Sequence, residues 1–240
     1  MEDGQLDKLY IVIPAYNEEA NIKSVIKDWY PIVEKVGNGS KLVIIDDGSK
    51  DSTYQIMLEE ADKLEAFEPI TKPNGGHGAT VLYGYHYAID AGADYVFQTD
   101  SDGQTLPEEF WPFWEQRQEY DMVIGHRKGR QDGFSRVFVT KTLKGVLQLC
   151  FHVNIKDANT PFRLMKAATL KQHINTIPKD FNLSNVVLSV IYAKKKLKVK
   201  YLPVTFRPRQ GGVNSINMKK IIHIGKKAIS DFRKINQCIK

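Results

Sequence analysis

Cysteine is scarce in this chain of 240 residues, which contains only Cys150 and Cys238. Two cysteines so far apart exclude a disulfide scaffold and a cysteine-rich zinc module, and they suit a reducing cytosol. Long apolar stretches are also missing: no run of about 18 apolar residues occurs, so we expect no helix that spans a bilayer. The polar start of the chain, MEDGQLDKLY, is unlike a signal peptide. Together these absences predict a cytoplasmic protein.

Several motifs of nucleotide-binding and hydrolytic enzymes are missing as well. The first predicted strand is not followed by G-x-G-x-x-G, and neither G-x-x-x-x-G-K-[ST] nor G-x-S-x-G occurs. Their absence argues against a dinucleotide-dependent dehydrogenase, a P-loop protein and a serine hydrolase. The six histidines do not pair at positions i and i+4, which argues against a structural zinc site.

Apolar residues are plentiful enough for a sizeable core. Hydrophobic residues make up 42% of the chain and charged residues 26%, which excludes a disordered protein. The 34 lysines and arginines exceed the 28 aspartates and glutamates, which leaves a formal net charge of +6. This mild excess of positive charge favours anionic partners such as nucleotides, phosphates or an acidic membrane surface.

Strand-like and helix-like segments alternate through the first hundred residues. Apolar runs rich in β-branched residues predict buried strands, which lie at 9–13, 42–45, 67–71 and 94–99. Apolar residues at helical spacing predict helices between them, over about 18–36, 53–66 and 79–91. Strands that alternate with helices of this length predict an α/β fold with a mostly parallel sheet flanked by helices.

Three of the predicted strands end in polar turns, at 15–18, 46–49 and 100–102. In open parallel sheets, ligands bind at the carboxyl ends of the strands, so we expect these turns to converge on one edge. Each turn alone is equally typical of an ordinary loop, because Asn, Asp, Gly and Ser dominate turns. Three such turns in register, two of them with paired aspartates, favour a binding site.

The segment Gln98–Gln104 carries the strongest single feature, two aspartates that flank one residue directly after a strand. Carboxylates at this spacing can both reach one divalent cation. Hard oxygen ligands suit Mg²⁺ or Mn²⁺, which keep water and substrate phosphate in their remaining positions. The sequence therefore predicts a cation site at Asp100 and Asp102, to which Gln104 can add a carbonyl oxygen.

Four segments carry a resemblance to a known family: Ile13–Glu18, Asp46–Ser49, Gly75–Gly78 and Asp100–Asp102. In order and spacing they resemble glycosyltransferase family 2, and within it most nearly the dolichyl- and polyprenyl-phosphate sugar transferases. The resemblance covers roughly residues 8–215 and is most specific in the first hundred. It implies the GT-A fold and an inverting, metal-dependent transfer of a sugar from a nucleoside-diphosphate donor to a polyprenyl phosphate or a glycan.

The resemblance also implies roles for individual residues. The nucleotide sugar would be bound by Pro14, Tyr16, Glu18, Asp46, Asp47, Gly78, Asp100 and Ser101. A Mg²⁺ or Mn²⁺ that bridges the diphosphate of the donor would be held by Asp100, Asp102 and Gln104. Such an ion neutralises the charge that develops on the leaving diphosphate.

The second half of the chain is implied to supply the residues around the phosphates and the acceptor: Arg127, Arg163, Arg209 and Asp157. Guanidinium groups bind phosphate in a bidentate manner. Asp157 would be the general base for a sugar hydroxyl, whereas an anionic lipid phosphate needs no base and would leave Asp157 to orient an arginine. Pro161 replaces the usual glycine of the family, and segment 209–215 has one extra residue and lacks the usual lysine. These departures concern the acceptor more than the donor.

Residues 216–240 form a basic segment whose lysines lie opposite a stripe of isoleucine and phenylalanine. The pattern predicts an amphipathic C-terminal helix that follows a glycosyltransferase domain of residues 1–215. We expect the stripe to pack either on the domain or on an anionic membrane surface. In the second case the protein works at the cytoplasmic face of a membrane through peripheral contact.

Two other functions fit parts of the sequence. A nucleotidyltransferase also combines an α/β fold with paired aspartates, but that class usually has a glycine-rich basic loop where this chain has Pro14–Glu19. A basic nucleic-acid-binding module needs clustered lysine and arginine with stacking aromatics, which the C-terminal segment lacks. We therefore expect no nucleic-acid partner.

Overall fold

The computed structural model describes residues 7–127, 134–207, 231–233 and 235–237, with the backbone alone at 134–141. Its strands are β1 (Leu9–Ala15), β2 (Lys41–Asp46), β3 (Phe67–Thr71), β4 (Tyr95–Gln98), β5 (Met122–Arg127), β6 (Arg163–Lys166) and β7 (Val199–Val204). Its α-helices are α1 (Ile22–Val36), α2 (Thr53–Ala61), α3 (His77–Asp90), α4 (Trp111–Glu115), α5 (Phe134–Phe151), α6 (Ala167–His173) and α7 (Ser184–Lys194). Short 3-10 helices precede α4 and follow α6.

These strands form one sheet of seven in the order β3-β2-β1-β4-β6-β5-β7. β6 runs antiparallel to both of its neighbours, β4 and β5, and the other pairs are parallel. The predicted α/β fold with a mostly parallel sheet flanked by helices is confirmed. Because β2, β1 and β4 are adjacent, their carboxyl ends lie side by side at one edge of the sheet.

The sheet has a separate core on each side, because successive residues of a strand face opposite ways. Val12 and Val96 belong to one cluster, which includes residues of α3 and α7. Ile11 and Phe97 belong to the other, which includes residues of α1 and α4. β1 is buried along its whole length, and this explains why its sequence is a continuous apolar run rather than an alternating one.

Several helix boundaries differ from the sequence prediction. α1 begins at Ile22 rather than near residue 18, because the chain first turns at Asn17, which has a φ of 53°. The sequence pattern does not predict α4, α6 or the 3-10 helix Pro107–Phe110. These elements span only 4 to 7 residues each, which is too short to display a helical period of apolar residues.

The described end of the chain packs against the domain. Phe232 is fully buried and Ile235 is 4% exposed. The ring of Phe232 lies 5.4 Å from that of Phe151 and 6.1 Å from that of Phe181. Residues 208–230 lie outside the described part, so the helix over 216–240 and the boundary at 215 stay predictions. Within the described ranges, no helix has the length and hydrophobicity that crossing a bilayer requires.

Candidate functional site

A cavity of about 400 Å³ opens at the carboxyl ends of β1, β2 and β4. The end of β1 supplies Pro14, the turn after it supplies Tyr16 and Glu18, and Asp47 follows β2. The start of α3 adds Gly76, His77 and Thr80, and the turn after β4 adds Asp100, Ser101 and Asp102. The three polar turns of the sequence therefore do converge, because parallel neighbouring strands bring their ends to the same edge.

The turn after β1 is tied to the loop after β2. Glu18 N donates to Thr53 Oγ1 at 2.8 Å, and its carboxylate accepts a hydrogen bond from Asn21 Nδ2 at 2.7 Å. Asn17 N donates to Ser49 Oγ at 2.9 Å. These contacts bury Glu18 while Tyr16 remains 43% exposed at the mouth of the cavity. An exposed aromatic ring can stack on a flat ligand, and contact between Tyr16 and a nucleotide stays a prediction.

Asp46 lies behind the cavity rather than in its wall. Its side chain is buried and accepts hydrogen bonds from Ser49 N at 3.1 Å and from Thr71 Oγ1 at 2.7 Å. These contacts fix the turn that follows β2. Contact between Asp46 and a nucleotide stays a prediction, and the structure gives its carboxylate a part in holding the turn.

Asp47 lines the cavity, and its carboxylate oxygens accept hydrogen bonds from the glycine loop. It accepts hydrogen bonds from Gly75 N and Gly76 N, both at 2.8 Å, and forms an ion pair with Lys72 Nζ. Burial alone would raise the pKa of Asp47, but the hydrogen bonds from Lys72 and Gly75 outweigh it and hold the pKa below its ordinary value. Asp47 is therefore an anion that positions the start of α3. Its contact with a base or ribose stays a prediction.

Gly78 packs closely against the backbone of the loop that precedes α7. A Cβ at this position would lie 2.3 Å from Phe181 O and 2.5 Å from Asn182 O. The lack of a side chain thus lets α3 pack on the loop before α7. This contact is a reason for glycine that is independent of the predicted closeness to the donor.

The acidic turn contacts a histidine at the start of α3. Asp100 Oδ1 lies 3.0 Å from His77 Nε2, and Asp102 Oδ1 accepts a hydrogen bond from Gln104 N at 3.2 Å. Burial acts to lower the pKa of His77, but the charges of Asp100 and Asp102 outweigh it and raise the pKa. In the sequence, the position of His77 in the glycine loop is the one signal that it belongs to the site.

The residues of this turn fit a divalent cation. Asp100 and Asp102 bring carboxylate oxygens from one turn to one cavity, which is the donor chemistry that Mg²⁺ and Mn²⁺ prefer. In the described ranges, no three His, Cys, Asp or Glu side chains form a complete metal cluster. A cation bound here would thus need oxygens from a substrate or water in addition.

Gln104 fastens the segment after β7 to the acidic turn. Its Nε2 donates to Arg207 O at 2.9 Å, and Arg207 N donates to Gln104 O at 2.8 Å. Gln104 is not among the residues that line the cavity. Its role as a metal ligand stays a prediction, whereas its role as a tether for Arg207 is seen directly.

Of the residues predicted in the second half, the structure describes Arg127, Asp157 and Arg163, and none of these three lines the cavity. Arg127 ends β5, with its guanidinium carbon 4.2 Å from the centre of the Phe206 ring. Asp157 lies in the loop before β6. Arg163 is fully buried, and its guanidinium donates to backbone carbonyls, so no part of it is placed to touch a phosphate. Arg209 lies outside the described residues.

Comparison with known proteins supports the assignment that these motifs suggest. The family model for "Glycosyl transferase family 2" matches residues 10–178. The chain belongs to this family. The predicted family is therefore confirmed, and the match favours a glycosyltransferase over the nucleotidyltransferase and nucleic-acid-binding alternatives.

Curated relatives of this glycosyltransferase chain include two named undecaprenyl-phosphate 4-deoxy-4-formamido-L-arabinose transferases. The one from Edwardsiella ictaluri is 26% identical over 223 residues, which cover 89% of this chain and 64% of that protein. The one from Sodalis glossinidius is 24% identical over 230 residues, which cover 92% of this chain and 66% of that protein. The chain thus spans just under two thirds of the length of these relatives.

Solved structures of glucosyl-3-phosphoglycerate synthase from Mycobacterium tuberculosis share the fold of this chain. The complex with phosphoglyceric acid has a TM-score of 0.68 at 18% identity and covers 96% of this chain and 80% of that one. Another, with Mn²⁺ and UDP-glucose, has a TM-score of 0.66 at 18% identity. At this identity the likeness establishes the fold alone.

Proposed function

We propose that this chain transfers a sugar from a nucleoside-diphosphate donor to a polyprenyl phosphate, with Mg²⁺ or Mn²⁺ as cofactor and with inversion at the anomeric carbon. The observation that carries the proposal is the cavity at the ends of β1, β2 and β4, which joins an exposed tyrosine to a pair of carboxylates. The acceptor class is supported by relatives named as undecaprenyl-phosphate sugar transferases. The donor and the ion are supported by a structural neighbour that was crystallised with Mn²⁺ and UDP-glucose.

The two ends of the cavity suit the two ends of a donor. Tyr16 and Glu18 would bind the base and the ribose, the first by stacking and the second by accepting hydrogen bonds from hydroxyl groups. Asp100 and Asp102 would hold the cation beside the diphosphate. When bound, the cation neutralises the negative charge that develops on the leaving group. The start of α3 at His77 adds the partial positive charge of a helix N-terminus on the same wall.

The displacement would proceed in one step. An acceptor oxygen forms a bond to the anomeric carbon from the face opposite the diphosphate, and the bond from that carbon to the diphosphate oxygen breaks. A polyprenyl phosphate is already an anion at neutral pH, so its attack needs no general base. Arg127, at the end of β5, would bind its phosphate as a bidentate donor. A glycan hydroxyl would instead need a base, and Asp157 would take that role.

We also propose peripheral contact with the cytoplasmic face of a membrane, because a polyprenyl acceptor resides there. Leu149 on α5 is 71% exposed, and the basic segment 216–240 favours anionic lipid. Sedimentation with vesicles that contain phosphatidylglycerol tests this contact. Co-sedimentation that salt weakens is expected, and a chain that stays in the supernatant at low salt contradicts the contact.

A donor panel tests the proposed function directly. UDP- and GDP-sugars with Mn²⁺ or Mg²⁺ should include one that raises the unfolding midpoint, by about 5–10 °C at a hundred times its dissociation constant. The same compound should yield a lipid-linked sugar when undecaprenyl phosphate is added in detergent. Stabilisation by no compound of the panel contradicts the proposal.

The Asp102→Asn variant tests the cation site. It removes one carboxylate charge at nearly constant shape, so the part of nucleotide affinity that depends on Mn²⁺ should fall at least about tenfold, as expected for the loss of a charged ligand. Asp62→Asn is the matched control, since Asp62 is exposed at the end of α2. Calorimetry with UDP in the presence and absence of Mn²⁺ measures the effect. Equal Mn²⁺ dependence in both variants would place the cation elsewhere.

A further inference from the structure

Arg163, the first residue of β6, is a fully buried arginine. Its Nε donates to Thr160 O at 3.0 Å, and its Nη2 donates to Thr160 O at 2.6 Å and to Ala158 O at 3.2 Å. Its Nη1 donates to Asn185 O at 3.1 Å and to Ser189 Oγ at 3.4 Å. Burying a charge is costly unless hydrogen bonds satisfy it, so these oxygens hold the guanidinium in place. The guanidinium in turn holds the groups that carry the oxygens.

Two of these carbonyl groups belong to the loop that leads from Asp157 into β6. Ala158 follows Asp157 directly, and its carbonyl also accepts a hydrogen bond from Ser189 Oγ at 2.9 Å. Ala158 and Thr160 are both buried. A planar guanidinium can bind both carbonyls at once, whereas a lysine offers a single point of charge. The loop that carries Asp157 is thus fixed from inside the protein.

The same network reaches the strand that ends at the acidic turn. Gln98 lies opposite Arg163 in the β4–β6 pair and precedes Asp100 by two residues. Gln98 Oε1 accepts a hydrogen bond from Tyr85 OH at 2.5 Å, and this hydroxyl lies 3.3 Å from Asn185 Oδ1. Gln98, Tyr85 and Asn185 are buried. Arg163 therefore joins the loop, α7 and β4 into one hydrogen-bonded unit.

We propose that Arg163 is a positioning residue, which holds the Asp157 loop against the strand that carries the acidic turn and so sets where Asp157 stands relative to the donor. The proposal rests on the proposed function. With a polyprenyl phosphate as acceptor, Asp157 would act by orienting an arginine at the acceptor phosphate rather than as a base, and a displacement of about 1 Å in a positioning group of this kind can lower turnover about a hundredfold. Loosening this unit should therefore act on the chemical step.

Nucleotide binding should be largely independent of Arg163. Tyr16, Glu18 and Asp47 follow β1 and β2, and the hydrogen bonds of the guanidinium described above involve neither strand. A positioning role thus predicts a lower kcat with an unchanged affinity for nucleotide. A role in folding alone predicts that affinity and kcat fall together, because the cavity would be disturbed as a whole.

The Arg163→Lys variant of the full chain tests the proposal, with Arg233→Lys as control because Arg233 is exposed. UDP with Mn²⁺ should bind Arg163→Lys within about twofold of the unchanged chain, while kcat with undecaprenyl phosphate falls about 30- to 100-fold. Hydrogen exchange at the amides of residues 157–160 and 162 should become at least about tenfold faster, because the loop opens more readily once its carbonyls lose hydrogen bonds to a charged donor, and exchange in β1 should not change. Unchanged kcat, or a parallel loss of UDP affinity, overturns the proposal.

The Ser189→Ala variant tests the same proposal if the Arg163→Lys variant does not fold. It removes the hydrogen bond to Ala158 O and the hydrogen bond from Arg163 Nη1 at 3.4 Å, and it retains the guanidinium with its bonds to the backbone carbonyls. A several-fold lower kcat at constant UDP affinity is expected, and no change in kcat or in loop exchange overturns the proposal. A chain without transfer activity would instead defeat the proposed function, and the exchange measurement would still show whether Arg163 fixes the loop.

Discussion

Replacing Gly78 by alanine should destabilise the protein, although alanine normally favours a helix. The added Cβ would lie 2.3 Å from Phe181 O and 2.5 Å from the carbonyl carbon of Asn182. Both neighbours are backbone atoms, so neither can rotate away and α3 or the loop before α7 must move. Overpacking lowers the free energy of unfolding by up to about 3 kcal/mol, whereas the higher helix propensity of alanine raises it by about 1 kcal/mol. The net loss of about 2 kcal/mol lowers the unfolding midpoint by roughly 4–8 °C for a chain of this size.

Gly145→Ala is the matched control for this prediction. A Cβ at Gly145, within α5, meets no atom within 4 Å, so only the helix propensity changes. Its unfolding midpoint should rise by roughly 2–4 °C, opposite in sign to that of Gly78→Ala. Differential scanning calorimetry of both variants measures the difference. A midpoint for Gly78→Ala at or above that of the unchanged chain would refute the close packing of α3 on the loop.

The affinity for UDP distinguishes whether α3 or the loop before α7 moves in the Gly78→Ala variant. Gly76 and His77 line the cavity and directly precede the substituted position. If α3 moves, these residues move with it, and the affinity for UDP with Mn²⁺ falls together with the unfolding midpoint. If the loop before α7 moves instead, the midpoint falls while affinity is kept.

Two further predictions concern the ion pair of Asp47 and the end of the chain. Lys72→Met should lower the free energy of unfolding by about 1.5 kcal/mol at neutral pH. Since the folded pKa of Asp47 is depressed, the ion pair contributes fully above the ordinary carboxyl pKa, and urea unfolding should show the deficit shrinking as pH falls below about 4. Phe232→Ala should cost about 3–5 kcal/mol, whereas Arg233→Ala should change stability by less than about 0.5 kcal/mol. A Phe232→Ala chain as stable as Arg233→Ala in urea would contradict the packing of Phe232 against the domain.

The first four strands follow closely from the sequence. The runs predicted at 9–13 and 42–45 are observed as Leu9–Ala15 and Lys41–Asp46, and 67–71 is observed without change. β1 and β2 are readable because a strand buried on both faces must be apolar throughout. The position of β6 between β4 and β5 is not readable in the same way, because it depends on pairing between segments distant in sequence.

The candidate site follows from the sequence only in outline. The strand ends predict that the acidic turn and the turn after β1 share one edge, since parallel topology decides this. The partner of each charged group is not predictable, because it depends on distant residues. Asp47 pairs with Lys72 and the glycine loop, and Arg163 is buried although arginines are mostly exposed. Composition and spacing contain no signal for either outcome.

The antiparallel direction of β6 explains how the second half of the chain reaches the site. The ends of parallel strands deliver the residues that follow them, whereas an antiparallel neighbour delivers the residues that precede it to the same edge. Arg163 begins β6 opposite Gln98, which ends β4, so the loop that leads into Arg163 comes from the same edge of the sheet as the acidic turn. Under the proposed function, the donor side would depend on the turns after β1, β2 and β4, and the acceptor side on the loop before β6 and the end of β5. Because these segments belong to different strands, we expect that substitutions on the acceptor side can occur without disturbing the proposed nucleotide end of the cavity.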